Sequence, residues 1–198
     1  MGPGQRDAHL RETVLRAAVD IVEREGVGAL SMREVARRAG VSHQAPYHYF
    51  ADRASILASI AEEGFNTLAD AFHVALTEAG DPSEACFTAY INMAREYPGH
   101  FRIMFRPELC AVDEYVGSRV AAERAFGALM QLVRRLAPSD ISQDDAFTWA
   151  VALWSQAHGF ATLLLDGPLL RKLPPGQTVE SLISGVARLA LFDTSERL

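Results

Sequence analysis

Between Leu30 and Arg53 the chain sets out Ser42, His43, Gln44, Tyr47 and His48, with arginines at 33, 37, 38 and 53 around them. Such a set suits recognition of a nucleic acid. A glutamine amide pairs bidentately with adenine, while hydroxyls, guanidinium groups and helix N-termini hold phosphate oxygens. Gln44 and His43 are assigned to base edges or the phosphates beside them, and Tyr47 and His48 to the DNA backbone. Ser42 would meet a phosphate at a helix N-terminus, Arg53 a phosphate from the following helix, and Arg33 the adjacent groove edge; Ser31 and Ala45 complete the surface. The plain alternative is a polar surface helix with no partner.

Two short helices and a turn must position these groups. Ser31 is a good N-cap with Glu34 as its capping-box partner, and Met32, Val35, Ala36 and Ala39 follow at helical spacing, so a helix is expected over 32–39. Gly40 stops it by taking positive φ, and Val41 plugs the corner. Ser42 caps a second helix carrying His43, Gln44, Ala45, Tyr47 and His48. Pro46 disfavours helical geometry for Ala45, so the start of this helix is expected to be tight or irregular.

At these residues the chain resembles the TetR family of one-component transcriptional regulators, whose pattern is matched by Ser31, Ala39, Gly40, Val41, Tyr47 and Phe50. The resemblance is specific over Leu10 to Leu57, with Arg53 standing where the family commonly has Lys. It implies a helix-turn-helix domain that reads DNA.

Net charge of −6 on 198 residues opposes a nucleic-acid partner only until it is divided. Residues 1–53 hold eight Arg against seven acids, a net +1, which leaves −7 on the remainder. Phosphate binding depends on which face shares the charges, so an acidic remote domain does not cancel it. Hydrophobic residues make up 49% of the chain, no apolar run approaches a membrane span, and the N-terminus has no signal-peptide core, so a cytoplasmic protein away from membranes is expected. Cys86 and Cys110 lack metal or redox spacing and are expected reduced and buried.

Helical periodicity continues beyond the motif. A first helix is expected over about 5–25 and a connector over about 53–78, with Asp52 as its N-cap. Further helices are expected from Pro82 to about Tyr97, over about 113–136, 143–165 and 178–192, with a short segment His100–Phe105 between two prolines. The fold class is therefore all-α, about nine helices without a sheet: a three-helix DNA-binding domain at 1–52 and a larger ligand-sensing and dimerising domain at 53–198.

Two clusters in the second domain carry further chemistry. Trp154 and His158 share a helix face with Gly159 beside them and Trp149 before, and the element resembles the Trp-x-x-x-His-Gly motif of a TetR subfamily. His158 reads as a core or interface histidine, a ligand contact, or least of all a metal ligand. Tyr90, Met93, Tyr97, Phe101, Met104 and Phe105 read as core or as the lining of an apolar cavity with polar anchors; with Trp149, Trp154 and His158 they form the candidate ligand set. No catalytic motif or metal-ligand spacing stands out, so neither enzyme activity, cofactor nor metal is expected. The reading is a homodimeric repressor, paired through 143–165 and 178–192, that binds double-stranded operator DNA and is released by a small, largely apolar effector. An activator or ligand-independent regulator is the first alternative, and a cofactor-binding helical enzyme the second.

Overall fold

The computed structural model describes residues 3–77 and 80–191, with side chains from Asp7 to Leu189. Among them there are eight α-helices, four short 3-10 helices and no strand. In order, the α-helices are α1 (Pro3–Glu25), α2 (Met32–Ala39), α3 (Arg53–Thr77), α4 (Pro82–Glu96), α5 (Pro98–Met104), α6 (Val116–Leu136), α7 (Gln143–Leu165) and α8 (Val179–Leu191). The expected ends of the third and last helices, at Glu78 and residue 192, lie outside the described residues.

The all-α class stands, whereas the count of about nine is one too many. The missing helix is the second of the motif, where Ala45–His48 forms a 3-10 turn with Pro46 near its start. Proline has no N–H to donate and constrains the residue before it, so the chain closes i to i+3 contacts instead of an α turn. Of the segment 100–105, residues 100–104 are helical as part of α5 and Phe105 is its C-cap, and the helix expected from Asp113 begins as a 3-10 turn, Val112–Glu114.

The chain packs as two compact units, each drawn from two stretches of sequence. The first holds residues 1–65 and 97–122, so α1, α2, the start of α3, α5 and the start of α6. Its core is built on Val14, Leu15, Ala18, Ile21 and Val22 of α1, with Val35, Ile56, Leu57 and Ile60. Gly64 of α3 lets α5 pass close by: a Cβ there would stand 2.5 Å from Met104 Sδ and 3.1 Å from His100 Cβ. Asp52 caps α3 as expected, accepting the Ser55 N–H at 2.8 Å while its own N–H reaches Ser55 Oγ at 3.1 Å.

The second unit holds residues 66–96 and 123–198, in which α4 packs against α7 and α8. Phe87 of α4 meets Phe160 of α7 edge-on, with ring centroids 5.6 Å apart. Arg124 of α6 pairs with Asp70, and Arg95 of α4 with Glu180 of α8 at 3.3 Å.

Candidate functional site

The frame of the motif is local capping chemistry. Ser31 Oγ accepts the Glu34 N–H at 3.2 Å, which starts α2 at Met32. Gly40 has φ 68° and ψ 30°; its N–H and that of Val41 return to Arg37 and Ala36, closing a Schellman stop. The reciprocal half of the expected capping box is replaced by ion pairing, because the Glu34 carboxylate binds Arg37 and Arg38.

After the stop, the Ala45 N–H bonds the Ser42 carbonyl at 3.0 Å, and Tyr49 and Phe50 both return to the Pro46 carbonyl. Ser42 therefore closes the turn through its backbone, without the side-chain N-cap expected of it. Pro46 and Phe50 are buried and pin the turn to the core, with the Arg11 guanidinium 5.3 Å from the Phe50 ring centroid. Ser42, His43, Gln44, Tyr47 and His48 are all exposed, so one short turn presents every polar group assigned to it. Ala45 is 8% exposed, the least exposed of the residues assigned to this surface. The His43 and Tyr47 rings lie 6.0 Å apart, and Tyr49 is half-buried with its hydroxyl 3.5 Å from Asp7.

The arginines divide sharply. Arg38 pairs with Asp20 and Glu25 of α1 and with Glu34, and Arg37 pairs with Glu34. Hydrogen bonding from Arg38 holds the Asp20 carboxyl below its ordinary range, as Arg37 does for Glu34. Arg53 donates from Nε to the Leu30 carbonyl at 2.9 Å and from Nη2 to the Val27 carbonyl at 2.8 Å. Among the described residues of 31–53, Arg33 is the exposed guanidinium outside these pairs. Arg38 and Arg53 thus tie separate elements of the first unit together, while Arg37 pairs within α2.

The candidate ligand set is divided between the two units. Phe101, Met104 and Phe105 belong to the first, where Phe105 meets Phe65 edge-on at 5.4 Å and Phe101 at 5.5 Å. Tyr97 is 40% exposed in that unit, its ring against His100. Tyr90, Met93, Trp149, Trp154 and His158 belong to the second. There the Trp154 indole N–H donates to the Tyr90 hydroxyl, which stands 2.9 Å from His158 Nδ1. Burial pushes the Tyr90 phenol up and the His158 imidazole down, so both are neutral near pH 7. With both groups neutral, one proton lies between them, and the imidazole tautomer decides whether the hydroxyl or Nδ1 donates it. Sequence reading chose all three residues but missed that they meet. The one signal was the four-residue spacing of Trp154 and His158; Tyr90 lies 68 positions away.

Among the described residues no group of three His, Cys, Asp or Glu is arranged to hold a metal, and no helix is long and apolar enough to cross a membrane.

A search of curated proteins finds no match. Of solved structures, the chain is similar to a protein of unknown function from Rhodococcus sp. RHA1, with 28% identity, 94% of this chain and 96% of that one covered, and a TM-score of 0.76. It shares its fold with the TetR family transcriptional regulator PfmR from Thermus thermophilus, at 20% identity, 90% and 97% coverage and a TM-score of 0.63. The same holds for the transcriptional regulator FadR from Bacillus subtilis, solved in complex with stearoyl-CoA, at 13% identity, 91% and 97% coverage and a TM-score of 0.72. The family model described as bacterial regulatory proteins, tetR family, matches residues 14–60, and the one described as tetracyclin repressor-like, C-terminal domain, matches residues 83–189. The capped α2, the glycine stop and the exposed polar turn fall inside the first match and the Tyr90–Trp154–His158 cluster inside the second, and the chain belongs to the TetR family of transcriptional regulators, DNA-binding proteins rather than enzymes.

Proposed function

We propose that this regulator is a cytoplasmic homodimeric repressor in which α2 and the Ala45–His48 turn act as a helix-turn-helix. Residues 1–52 read DNA, and 53–198 sense a ligand and dimerise. The observation that carries the reading is the joint exposure of Ser42, His43, Gln44, Tyr47 and His48 on a turn whose apolar members, Ala45, Pro46 and Phe50, are buried. Each subunit lays this turn in the major groove of one half of a pseudopalindrome, the two halves one helical turn apart, ~34–36 Å. Gln44 and His43 face base edges, Tyr47, His48 and Ser42 the backbone, and Arg33 a phosphate.

Dimerisation uses α7 and α8. Their solvent faces carry Phe147, Val151, Leu163 and Leu189, all more than a third exposed, a sequence of apolar groups suited to cover by a second copy. The ligand is small and largely apolar, and Tyr90, Trp154 and His158 supply its polar anchors, in keeping with the Trp-x-x-x-His-Gly subgroup. The stearoyl-CoA bound to B. subtilis FadR supports an apolar ligand in a domain of this fold. Release requires the ligand to favour the released form, typically by ~1–3 kcal/mol of coupling.

The test compares Gln44→Ala with Arg33→Ala on an operator and on single-base variants of it. Gln44→Ala is expected to relax preference at one base position, and Arg33→Ala to weaken all sequences alike and lower the salt dependence. Equal effects of both variants on every sequence would remove Gln44 from base reading.

A further inference from the structure

We infer that Arg53 is a positioning residue for DNA recognition, a clamp that ties the start of α3 to the start of α2, and not a phosphate ligand. The inference rests on the DNA-reading role proposed for the Ala45–His48 turn and corrects the role first assigned to Arg53.

Arg53 is the first residue of α3, where its position is set by the Asp52 cap. A cation there faces the positive end of the α3 dipole, an unfavourable place unless something else holds it. What holds it is a pair of carbonyls. Val27 belongs to the 3-10 turn Val27–Ala29, and Leu30 carries the last carbonyl before Ser31, the N-cap of α2. Nε and Nη2 lie on one edge of the guanidinium plane, so the two bonds at 2.9 and 2.8 Å form a fork that fixes direction as well as distance.

The consequence lies in what the clamp encloses. Between Ser31 and Arg53 the chain leaves the core, runs through α2, reverses at Gly40 and returns through the exposed turn with His43, Gln44, Tyr47 and His48. Both ends of that excursion are bound to one guanidinium. A lysine ammonium is a point donor and cannot reproduce a planar fork on two carbonyls. Charge alone is therefore insufficient at position 53.

The experiment measures operator affinity of the full-length protein against salt for wild type, Arg53→Lys and Arg53→Ala, with amide hydrogen exchange of the DNA-free proteins over 27–40. Circular dichroism identifies any variant that fails to fold, and Arg53→Lys serves if Arg53→Ala does. The clamp predicts that both variants lose about tenfold or more in affinity, that the slope of log K against log salt stays at the wild-type value, and that amides over 27–40 exchange faster. A phosphate ligand predicts the reverse: Arg53→Lys keeps its affinity, while Arg53→Ala lowers the slope by about 0.9 per subunit and leaves exchange unchanged. That result would overturn the inference and leave the DNA reading intact. Absence of specific binding by the wild type would overturn the DNA reading and this role together, with exchange still reporting on the clamp.

Discussion

Replacing Tyr90 by phenylalanine removes one oxygen atom from the middle of the second unit and keeps the ring, which is 3% exposed and stacked 6.3 Å from Phe72. The lost hydroxyl joins Trp154 to His158, so each loses this partner while the apolar packing of position 90 is retained. Removing one member of a neutral buried hydrogen bond costs ~1–3 kcal/mol when the other is left unsatisfied, against ~0.5–1.5 kcal/mol for the bond itself. Trp154 is 37% exposed and His158 half-buried, so water reaches part of both and a loss of ~1–2 kcal/mol is expected. For a chain of this length that is ~2–8 °C in Tm. The assay is urea unfolding of wild type, Tyr90→Phe, His158→Ala and the double variant, read as a double-mutant cycle. A coupling of ~0.5 kcal/mol or more between positions 90 and 158 is predicted. Additive effects, or a Tyr90→Phe variant as stable as wild type, would refute the claim that the hydroxyl of Tyr90 on α4 is bonded to His158 on α7.

Three further outcomes follow from the same structure. Burial places the folded His158 pKa below its ordinary 6.5, so between the two values the unfolded chain binds the proton more readily. Its contribution to stability is therefore complete above about pH 6.5 and is lost as pH falls through the folded value, and His158→Gln should flatten that part of a stability-against-pH curve. Gly64→Ala should destabilise, because overpacking against Met104 and His100 costs ~1–3 kcal/mol and exceeds the ~1 kcal/mol that alanine gains over glycine in a helix. Gly127→Ala, where an added Cβ meets nothing within 4 Å, should instead raise Tm, and equal Tm shifts for the two would contradict the close α3–α5 approach. Burial pushes the Cys86 thiol up to about 11 and raises Cys110 as well, so a thiol reagent at pH 8 should label the native protein far more slowly than the unfolded one.

What the sequence made legible was the chemistry that acts between near neighbours. Ser31, Gly40 and Asp52 set helix ends by bonds spanning three to five residues, and such ends can be read before any fold is known. The 3-10 turn at Ala45–His48 was half visible, since Pro46 announced an irregular start without saying that the α turn would be lost altogether. The arginines were not legible. Counting charges over 31–53 gives a basic stretch, yet Arg38 is committed to Asp20 and Glu25 on another helix, and Arg53 to carbonyls more than twenty residues back. Gly64 offered a weak signal, a glycine inside a long apolar helix, whose reason is Met104 forty residues on. The aromatic and methionine stripe looked continuous from Tyr90 to Phe105, while packing divides it between two units after Glu96.

The measurement that bears most directly on the regulator reading is a fluorescence-anisotropy titration of the purified protein against fragments flanking its own gene, at 50 and 200 mM salt. The account predicts saturable binding to one fragment, with affinity there falling by about 10³-fold or more between the two salts if the dimer holds six or more phosphates. Equal weak binding to every fragment, insensitive to salt, would contradict it.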